Sequence, residues 1–197
     1  MLVGNDVVDL QDPDSLPEAL HPRFDARVFT SDEREALRGA ASPHVLRWTL
    51  WAAKESAYKV AKKLDPAVRF LPGNFEVRQT EGASVVVHET GSFDLRLERA
   101  DEWVCAIATI TAASAPSTQR LVCTGIERLE VSGTDPSRTV RKLARAALGL
   151  RMNLPPEEIR IEAHRGIPVA VWRDRRLPVD LSLSHHGRFV AWAWVQS

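Results

Sequence analysis

The chain has 197 residues, of which 44% are hydrophobic and 26% charged, and its formal net charge is zero. This length suits one globular domain or two small ones, and zero net charge gives no general attraction to nucleic acid or to a membrane surface. No apolar run approaches the ~18 residues of a membrane-spanning helix, and the opening MLVGNDVVDL lacks the features of a signal peptide, so we expect a soluble, cytoplasmic protein.

The first predicted element is a short strand, VGNDVVDL, which covers residues 3–10 and is entered through Gly4. The next is a helix over Arg47–Leu64, because apolar residues recur there at spacings of three and four. This apolar stripe consists of Leu46, Leu50, Ala53, Ala57, Val60 and Leu64. Glu55 and Lys59 lie one turn apart on roughly the opposite side of the helix.

The side of the helix with Glu55 and Lys59 also carries Trp48, Trp51 and Tyr58. One interpretation is a solvated face with an ion pair that contributes only ~0.2–0.5 kcal/mol. Large aromatic side chains clustered toward water are uncommon, however, and indicate a second packing surface or a cleft. A carboxylate between two buried edges of a helix is a reasonable place for chemistry, so both interpretations stay open on this segment alone.

Two segments align without a gap at a separation of 86 residues: FDLRLERADEWVCAIAT (93–109) and VDLSLSHHGRFVAWAWV (179–195). Each alternates apolar and polar positions, passes a short polar turn and enters a second apolar run, which predicts a β-hairpin. A weaker match joins VGNDVVDL to TGIERLEV (124–131), and the second half also has a predicted helix, Ser137–Leu150. The common order of these elements indicates an internal duplication.

The predicted fold class is therefore α+β: a pseudo-two-fold pair of similar subdomains, each a small, mainly antiparallel sheet packed with helices. The boundary is placed at ITAASAPSTQR, residues 110–120, because this segment is small, polar and proline-containing. We divide the chain into halves at residues 1–115 and 116–197. A binding site is expected at the face that the halves share.

The two halves differ where chemistry is expected. Asp6 opens the repeat in the first half and Glu127 in the second. The first helix carries Glu55 and Lys59, whereas the second carries a basic run of Arg138, Arg141, Lys142 and Arg145. The hairpin of the second half contains SLSHHG, where the first half has RLERAD. The acidic residues thus lie in one half and a Ser-His turn in the other.

Two carboxylates on separate elements, Asp6 on the strand and Glu55 on the helix, suit a hard cation, because Mg²⁺ binds one or two carboxylates together with substrate phosphates and water. The alternative for Asp6 is a turn or capping residue after Gly4. Asp9 is a weaker candidate ligand, since strand alternation places residues 6 and 9 on opposite faces.

The SLSHHG segment carries Ser184 and His185, but adjacent strand residues point apart and no GxSxG turn is present, so a nucleophile–base pair is not indicated. His185 and His186 also lack the Cys or acidic neighbours of a zinc site. With Arg188 nearby, the turn is a candidate phosphate contact through side chains and backbone N–H groups. A plain polar hairpin tip explains the same residues equally well.

Taken together, these segments resemble the 4′-phosphopantetheinyl transferases over most of the chain. GNDVVDL is similar to the Gly-x-Asp strand motif of that family, and WAAKESAYK (51–59) is similar to its Trp-x-x-Lys-Glu-Ser/Ala-x-x-Lys motif. RVFTSDE (27–33) resembles the segment before the motif helix, and FLPGNFEV (70–77) resembles the strand after it. RGIPVAV (165–171) and LSLSHHGRFVAWA resemble the Gly-Lys-Pro and Ser-His motifs of the two-half members.

The chain departs from the two-half, surfactin-synthetase-activating type of that family. There the Ser-His half comes first, whereas here the order is reversed, so the chain resembles two tandem holo-acyl-carrier-protein-synthase-like units that each retain half of the site. Val8 stands where that type tends to have a third carboxylate. Ile167 stands where Gly-Lys-Pro has its lysine, and Arg165 or His164 is a candidate substitute.

The resemblance implies transfer of 4′-phosphopantetheine from coenzyme A (CoA) to a serine of an apo acyl or peptidyl carrier protein, with release of 3′,5′-ADP. It implies Mg²⁺ held by Asp6 and Glu55, with Glu55 accepting the serine proton directly or through water. Lys59 is expected to neutralise the bridging or leaving oxygen. The implied nucleotide contacts are Ser184, His185, Lys54, Arg165, Arg138 and Arg141.

A carrier protein of this kind is acidic near its serine, so a local basic surface is expected despite zero net charge. Candidates beside the motif helix are Arg47, Lys62, Lys63 and Arg69. A monomer suffices, because both half-sites lie in one chain, and neither nucleic acid nor a membrane is expected as a partner. Two other functions stay open: a non-catalytic CoA- or carrier-protein-binding module, and an unrelated Mg²⁺-dependent phosphohydrolase, although the chain has no Walker-type loop.

Overall fold

The computed structural model describes residues 1–80, 83–110, 121–130, 133 and 135–196. In this part of the chain helices combine with antiparallel sheets, which confirms the predicted α+β class. None of the helices found there is long and apolar enough to cross a membrane. Residues 111–120, which hold most of the predicted boundary segment, lie outside the described residues, and the division at residue 115 stays a prediction.

A five-stranded antiparallel sheet and three helices form the first part of the fold. The strands are β1 (Leu2–Asp9), β2 (Glu76–Thr80), β3 (Ala83–His88), β4 (Gly91–Arg99) and β5 (Trp103–Ile110), in the spatial order β1-β5-β4-β3-β2. The helices are α1 (Phe24–Val28), α2 (Ser31–Gly39) and α3 (Pro43–Leu64). The middle of the predicted apolar stripe of α3 packs on one face of the sheet, where Ala53, Ala57 and Val60 are buried in a cluster with Val8 and Phe93. Its first two residues, Leu46 and Leu50, belong to a separate cluster, and Leu64 at its end is exposed.

Aromatic residues bury α3 on a second side. Trp48 and Trp51 each contact Phe24, with ring centroids 5.7 Å apart in both pairs. Further along the helix, the rings of Tyr58 and Phe70 lie 5.0 Å apart. The aromatic side of the helix is therefore a second packing surface and not a solvated face, as the size of its side chains predicted.

Two three-stranded sheets and one helix form the second part of the described chain. The first sheet comprises β6 (Cys123–Arg128), β10 (Val179–His186) and β11 (Phe189–Gln196), in the order β10-β11-β6. The second comprises β7 (Ile159–His164), β8 (Ile167–Trp172) and β9 (Arg175–Arg176), in chain order. Helix α4 (Pro136–Met152) begins after Asp135, whose carboxylate accepts hydrogen bonds from the first backbone N–H groups of the helix.

The two repeated hairpins share one pairing register. In the β4–β5 hairpin Asp94 lies opposite Thr109, and in the β10–β11 hairpin Asp180 lies opposite Val195, which are the same positions 86 residues later. β1 then pairs with β5 in the same way that β6 pairs with β11. This correspondence confirms both predicted hairpins and supports the predicted duplication.

The pairing of β1 and β6 with the repeated hairpins corrects the predicted equivalence of Asp6 and Glu127. Asp6 lies opposite Ala106, and the repeat equivalent of Ala106 is Trp192, which lies opposite Gly125. Gly125, and not Glu127, therefore takes the place of Asp6 in the second half. The packing leaves no room for a side chain there, since a Cβ on Gly125 would lie 2.0 Å from the Trp192 ring.

β1 is an edge strand of its sheet, and side chains of β10 accept hydrogen bonds from its outward backbone N–H groups. Three such bonds join the strands at a constant offset of 177 residues: Val3 N–H to Asp180 Oδ2 at 2.8 Å, Asn5 N–H to Ser182 Oγ at 2.9 Å, and Asp9 N–H to His186 Nδ1 at 3.2 Å. Side chains here take the place that carbonyl groups hold in a parallel pair of strands. Each bond satisfies a donor that burial would otherwise leave unpaired.

A buried lysine on α3, Lys63, also binds both β1 and β10 at their contact, which we call the joint. Lys63 Nζ lies 2.7 Å from Asp180 Oδ2 and donates to the backbone carbonyls of Val3 at 2.6 Å and Leu181 at 2.9 Å. Burial lowers the pKa of Lys63, and the Asp180 carboxylate opposes that shift. Because the Lys63 side chain is only 6% exposed, the prediction that it belongs to a carrier-facing basic surface is wrong.

Gly4 lies where β1 crosses α3, and a Cβ built on it would lie 2.0 Å from the Ser56 carbonyl oxygen. We expect Gly4→Ala to lower the free energy of unfolding by about 3 kcal/mol, because the strand must move away from the helix. Gly39→Ala is the matched control, since nothing lies within 4 Å of a Cβ at that position. Chemical denaturation measures both variants, and equal stabilities would contradict the close packing of β1 on α3.

Candidate active site

A cleft of about 260 Å³ separates α3 from the second part of the fold. Helix α3 contributes Lys59, Lys62 and Lys63 to its lining, and the turn between β7 and β8 contributes Arg165. The opposite wall includes Ser182 of β10. Lys59 and Lys63 are each paired with a carboxylate, whereas no ion pair of Lys62 or Arg165 is found among the described residues. These two unpaired cations favour an anionic occupant although the whole chain is neutral.

Asp6 and Lys59 form an ion pair beside this cleft. Lys59 Nζ lies 2.8 Å from Asp6 Oδ1 and also donates to the backbone carbonyl of Asn5 at 2.8 Å. The two side chains are 13% and 26% exposed, respectively, so the pair is accessible without being fully solvated. β1 and α3 thus bring together two of the predicted catalytic residues.

Glu55 lies one turn before Lys59 on α3 and is half-buried. Burial raises the pKa of Glu55 from its ordinary value of 4.5 to about 7; the Asp6 charge adds to the rise and Lys59 opposes it. Lys59 contacts Asp6 at 2.8 Å, and Glu55 lies one turn from Lys59 on the same helix. Asp6, Glu55 and Lys59 therefore lie together, as the sequence predicted.

The donor set fits a hard cation that takes few ligands from the protein. No hydrogen bond to the Glu55 carboxylate is found in the described part of the chain, and only one oxygen of Asp6 is paired there. Val8 is buried in the apolar core and supplies no third oxygen. The residues that the structure describes contain no group of three His, Cys, Asp or Glu side chains that could hold a metal ion. Two carboxylates are the composition that Mg²⁺ accepts when phosphate and water complete its shell.

Lys54, predicted to contact nucleotide, is instead fully buried on the far side of α3. Its ammonium lies 2.8 Å from Glu33 Oε2 and donates to the backbone carbonyls of Pro72, at 3.1 Å, and Phe75. Glu33 in turn caps α2 and accepts from the N–H of Val77. The structure corrects the prediction: Lys54 fastens α2 and the segment before β2 to α3. Nothing in the sequence indicates that Lys54 forms an internal ion pair, apart from the presence of Glu33 in RVFTSDE.

We expect Lys54→Met to lower the free energy of unfolding by about 3 kcal/mol, because it leaves the Glu33 carboxylate buried and unpaired. Lys62→Met on the same helix is the control, since the partly exposed Lys62 ammonium makes a 3.4 Å contact with the Val68 carbonyl and lies 5.8 Å from the Tyr58 ring centroid, and pairs with no carboxylate in the described part of the chain. Thermal or chemical unfolding measures both. A Lys54→Met protein of undiminished stability that binds nucleotide weakly would restore the original assignment.

The Ser-His turn is divided between two environments. His185 is exposed and lines a second cavity, of about 180 Å³, together with Ser137 and Arg141 of α4. Ser184 points the other way, is buried, and accepts a hydrogen bond from Asn5 Nδ2 at 3.0 Å. Ser184 therefore belongs to the joint between the sheets, which corrects its predicted role as a phosphate contact. Ser182, two residues earlier, lines the main cleft and was missed.

The predicted arginine contacts also separate. Arg165 adopts a left-handed conformation, with φ of 51°, in the turn before Gly166 and lines the main cleft. Arg141 lines the second cavity and donates to the Ser137 carbonyl at 2.8 Å. Arg138 is exposed on the first turn of α4, outside the lining of both cavities. The structure thus brings Arg165 and Arg141 to cavities and leaves Arg138 at the surface.

Arg188 is committed to the joint and does not face the clefts. Its guanidinium holds both oxygens of Asp9 at 2.7 Å and reaches Glu102 at 3.0 Å. Burial on its own would raise the pKa of Asp9, but the hydrogen bonds from Arg188 outweigh it and lower that pKa to about 2. The phosphate contact considered for Arg188 is therefore wrong, and Asp9, already ranked below Asp6, has no free oxygen for a cation.

The remaining candidates for a basic docking surface differ in availability. Arg47 makes a bidentate pair with Asp25, with N–O distances of 2.8 and 2.9 Å, and is largely buried. Arg69 is exposed, and Lys62 lies half-exposed at the rim of the main cleft. Of the four predicted residues, Lys62 and Arg69 can therefore meet an external partner.

The raised pKa of Glu55 predicts a pH dependence of stability. The folded state holds this proton up to about pH 7, whereas the unfolded chain releases it near pH 4.5, so the contribution of Glu55 to stability falls as the pH rises between these values. We expect Glu55→Gln to remove this loss and to be more stable than the parent at pH 8 by up to about 3 kcal/mol. Denaturant titrations at pH 5 and pH 8 measure the difference. The exposed Glu35→Gln is the control, and a parallel pH response of Glu55→Gln and the parent would contradict the assignment.

These features define a class of site: an acidic pair beside a basic cleft, at the joint of two sheet-containing parts, suited to a substrate that carries phosphates. A family model described as the 4′-phosphopantetheinyl transferase superfamily matches residues 2–108. The chain belongs to this superfamily, which confirms the resemblance drawn from its strand and helix motifs.

Two solved structures are similar to this chain. Holo-[acyl-carrier-protein] synthase from Neisseria meningitidis is 19% identical with a TM-score of 0.46, and the alignment covers 55% of this chain and 97% of that one. The corresponding synthase from Thermotoga maritima is 18% identical with a TM-score of 0.43, over 73% of this chain and 89% of that one. No curated protein gives a significant match.

Proposed function

We propose that this protein transfers 4′-phosphopantetheine from CoA to a serine hydroxyl of an apo acyl or peptidyl carrier protein and releases 3′,5′-ADP. The observation that carries the proposal is the ion pair of Asp6 with Lys59, with Glu55 one turn away on α3, beside a cleft that Lys59, Lys62 and Arg165 line. Membership of the superfamily supports the same reaction type. CoA fits the charge of the cleft, because its pyrophosphate and 3′-phosphate are anionic.

The reaction forms a bond between the serine oxygen and the phosphorus that bears pantetheine, and breaks the bond from that phosphorus to the bridging oxygen. The serine proton goes to a base, and the electron pair leaves with 3′,5′-ADP. Glu55 is the base that the site supplies, since a pKa of about 7 suits proton transfer near neutral pH. Lys59 is placed to neutralise charge on the bridging and leaving oxygens.

Mg²⁺ is the cation that we propose for this site, with Asp6 and Glu55 as its protein ligands. When bound, it would supply charge neutralisation at the pyrophosphate. The protein's own contribution is to hold Lys59 on one wall of the cleft, with Asp6 and Glu55 beside it, while Arg165 and β10 form the other wall. One chain carries both walls, which supports a monomer as the working unit.

A non-catalytic CoA- or carrier-binding module is the second candidate, favoured by Val8 in place of a third carboxylate and Ile167 in place of a lysine. It predicts CoA binding without transfer. The half-buried Glu55 with its raised pKa argues against it, since a binding module has no need for a proton acceptor.

The test is incubation of the protein with CoA, Mg²⁺ and several apo carrier proteins, with the pantetheine adduct detected by mass. We expect Glu55→Gln to lower the rate at least about 100-fold through loss of the base, and His185→Ala mainly to raise KM for CoA. The exposed Glu35→Gln and Lys142→Ala remove matched charges away from the cleft and serve as controls.

A fully active Glu55→Gln protein would overturn the proposed mechanism. Binding of CoA by the parent protein with no adduct on any carrier would favour the binding module. Release of free phosphopantetheine without an acceptor protein would instead support a phosphohydrolase.

A further inference from the structure

Ser182 is a buried hydroxyl on the wall of the main cleft. It lies on β10, is only 2% exposed, and lines the same cavity as Lys59 and Arg165. Its Oγ accepts a hydrogen bond from the backbone N–H of Asn5 at 2.9 Å. A serine hydroxyl has one proton to donate in addition to its acceptor sites. No acceptor for that proton is found within the described part of the chain.

One residue fixes the positions of both Ser182 and Lys59. The N–H of Asn5 donates to Ser182 Oγ, and its C=O accepts from Lys59 Nζ at 2.8 Å. Both side chains therefore bind the backbone of one residue, Asn5, and both line the same cavity. An anion in this cavity therefore lies in a space that both Lys59 and Ser182 line.

The lining of the cleft indicates what accepts this proton. The described lining residues include lysines and an arginine but no carboxylate. The nearest acidic group on β10, Asp180, is already paired with Lys63 and the Val3 N–H. Asn5 Oδ1 is a buried acceptor without a partner, but no hydrogen bond joins it to Ser182 Oγ in the described residues. A phosphate oxygen in the cleft is an acceptor that satisfies both the free proton and the surrounding positive charge.

From this geometry we infer that Ser182 donates a hydrogen bond to a pyrophosphate oxygen of CoA, the group that also meets Lys59. The inference rests on the proposed function, because it takes CoA as the occupant. It makes Ser182, rather than Ser184, the substrate-binding serine of β10, and it gives the strand a role in the site beyond its bonds to β1.

The chain offers a matched control in Ser184. Both serines lie on β10, both are buried, and both accept a hydrogen bond from Asn5, Ser182 from the backbone and Ser184 from the side chain. Only Ser182 is among the residues that line the main cleft. A purely structural role of the hydroxyls predicts similar effects of Ser182→Ala and Ser184→Ala, whereas a contact to the substrate predicts different ones.

The test measures CoA affinity of the parent chain and both variants by titration calorimetry, with thermal unfolding in parallel. We expect both alanine variants to lose thermal stability, but only Ser182→Ala to bind CoA about tenfold more weakly, as for loss of a hydrogen bond to a charged group. Dephospho-CoA, which lacks the 3′-phosphate, is the second probe, and we expect Ser182→Ala to lower its affinity by the same factor. Ser182→Cys keeps the size of the side chain with a weaker donor, so it must weaken binding even if Ser182→Ala fails to fold.

Equal CoA affinity of the parent, Ser182→Ala and Ser182→Cys would overturn the inference and leave the proposed function intact. A loss confined to CoA and absent with dephospho-CoA would also overturn it, because the contact would then be to the 3′-phosphate. Failure of the parent chain to bind either compound would overturn the proposed function and the inference with it.

Discussion

The structure depends on the way in which β10 satisfies the open edge of β1. A strand at the edge of a sheet presents unpaired N–H groups, which are costly to bury without acceptors. Here the acceptors are alternate side chains of a distant strand, and Lys63 ties the same strands to α3. Because Lys63 lies on α3 and Ser182 on β10, the bonds that hold the two parts together also fix the two walls of the cleft relative to each other.

The raised pKa of Glu55 follows from the partial burial of its carboxylate. Glu55 is buried enough to retain a proton near neutrality, and the charge of Asp6 works in the same direction. Lys59 limits this effect and is itself held by Asp6 and by the Asn5 carbonyl. Under the proposed function, this loss of protein stability accompanies a carboxylate suited to proton transfer near neutral pH, and a bound cation would relieve the repulsion.

The sequence predicted what depends on local pattern: both repeated hairpins, the two long helices, and the meeting of Asp6, Glu55 and Lys59. It could not predict which charged side chains are used internally, because that depends on pairing between residues far apart in the chain. Lys54 and Arg188 were assigned to ligands and instead bind Glu33 and Asp9. Ser182 and Ser184 lie two residues apart and therefore on the same face of β10. Only the position of the neighbouring elements shows that Ser182 lines the main cleft and Ser184 does not.

Gly125, which lies under the Trp192 ring in the place equivalent to Asp6, has a consequence for stoichiometry. A chain built from two copies of one unit could in principle house two reaction centres. Here the second copy has lost the acidic position to aromatic packing and has a basic helix where the first has its glutamate. If the proposed function holds, each molecule has a single reaction centre and modifies one acceptor at a time, and the second copy serves as a wall of that centre.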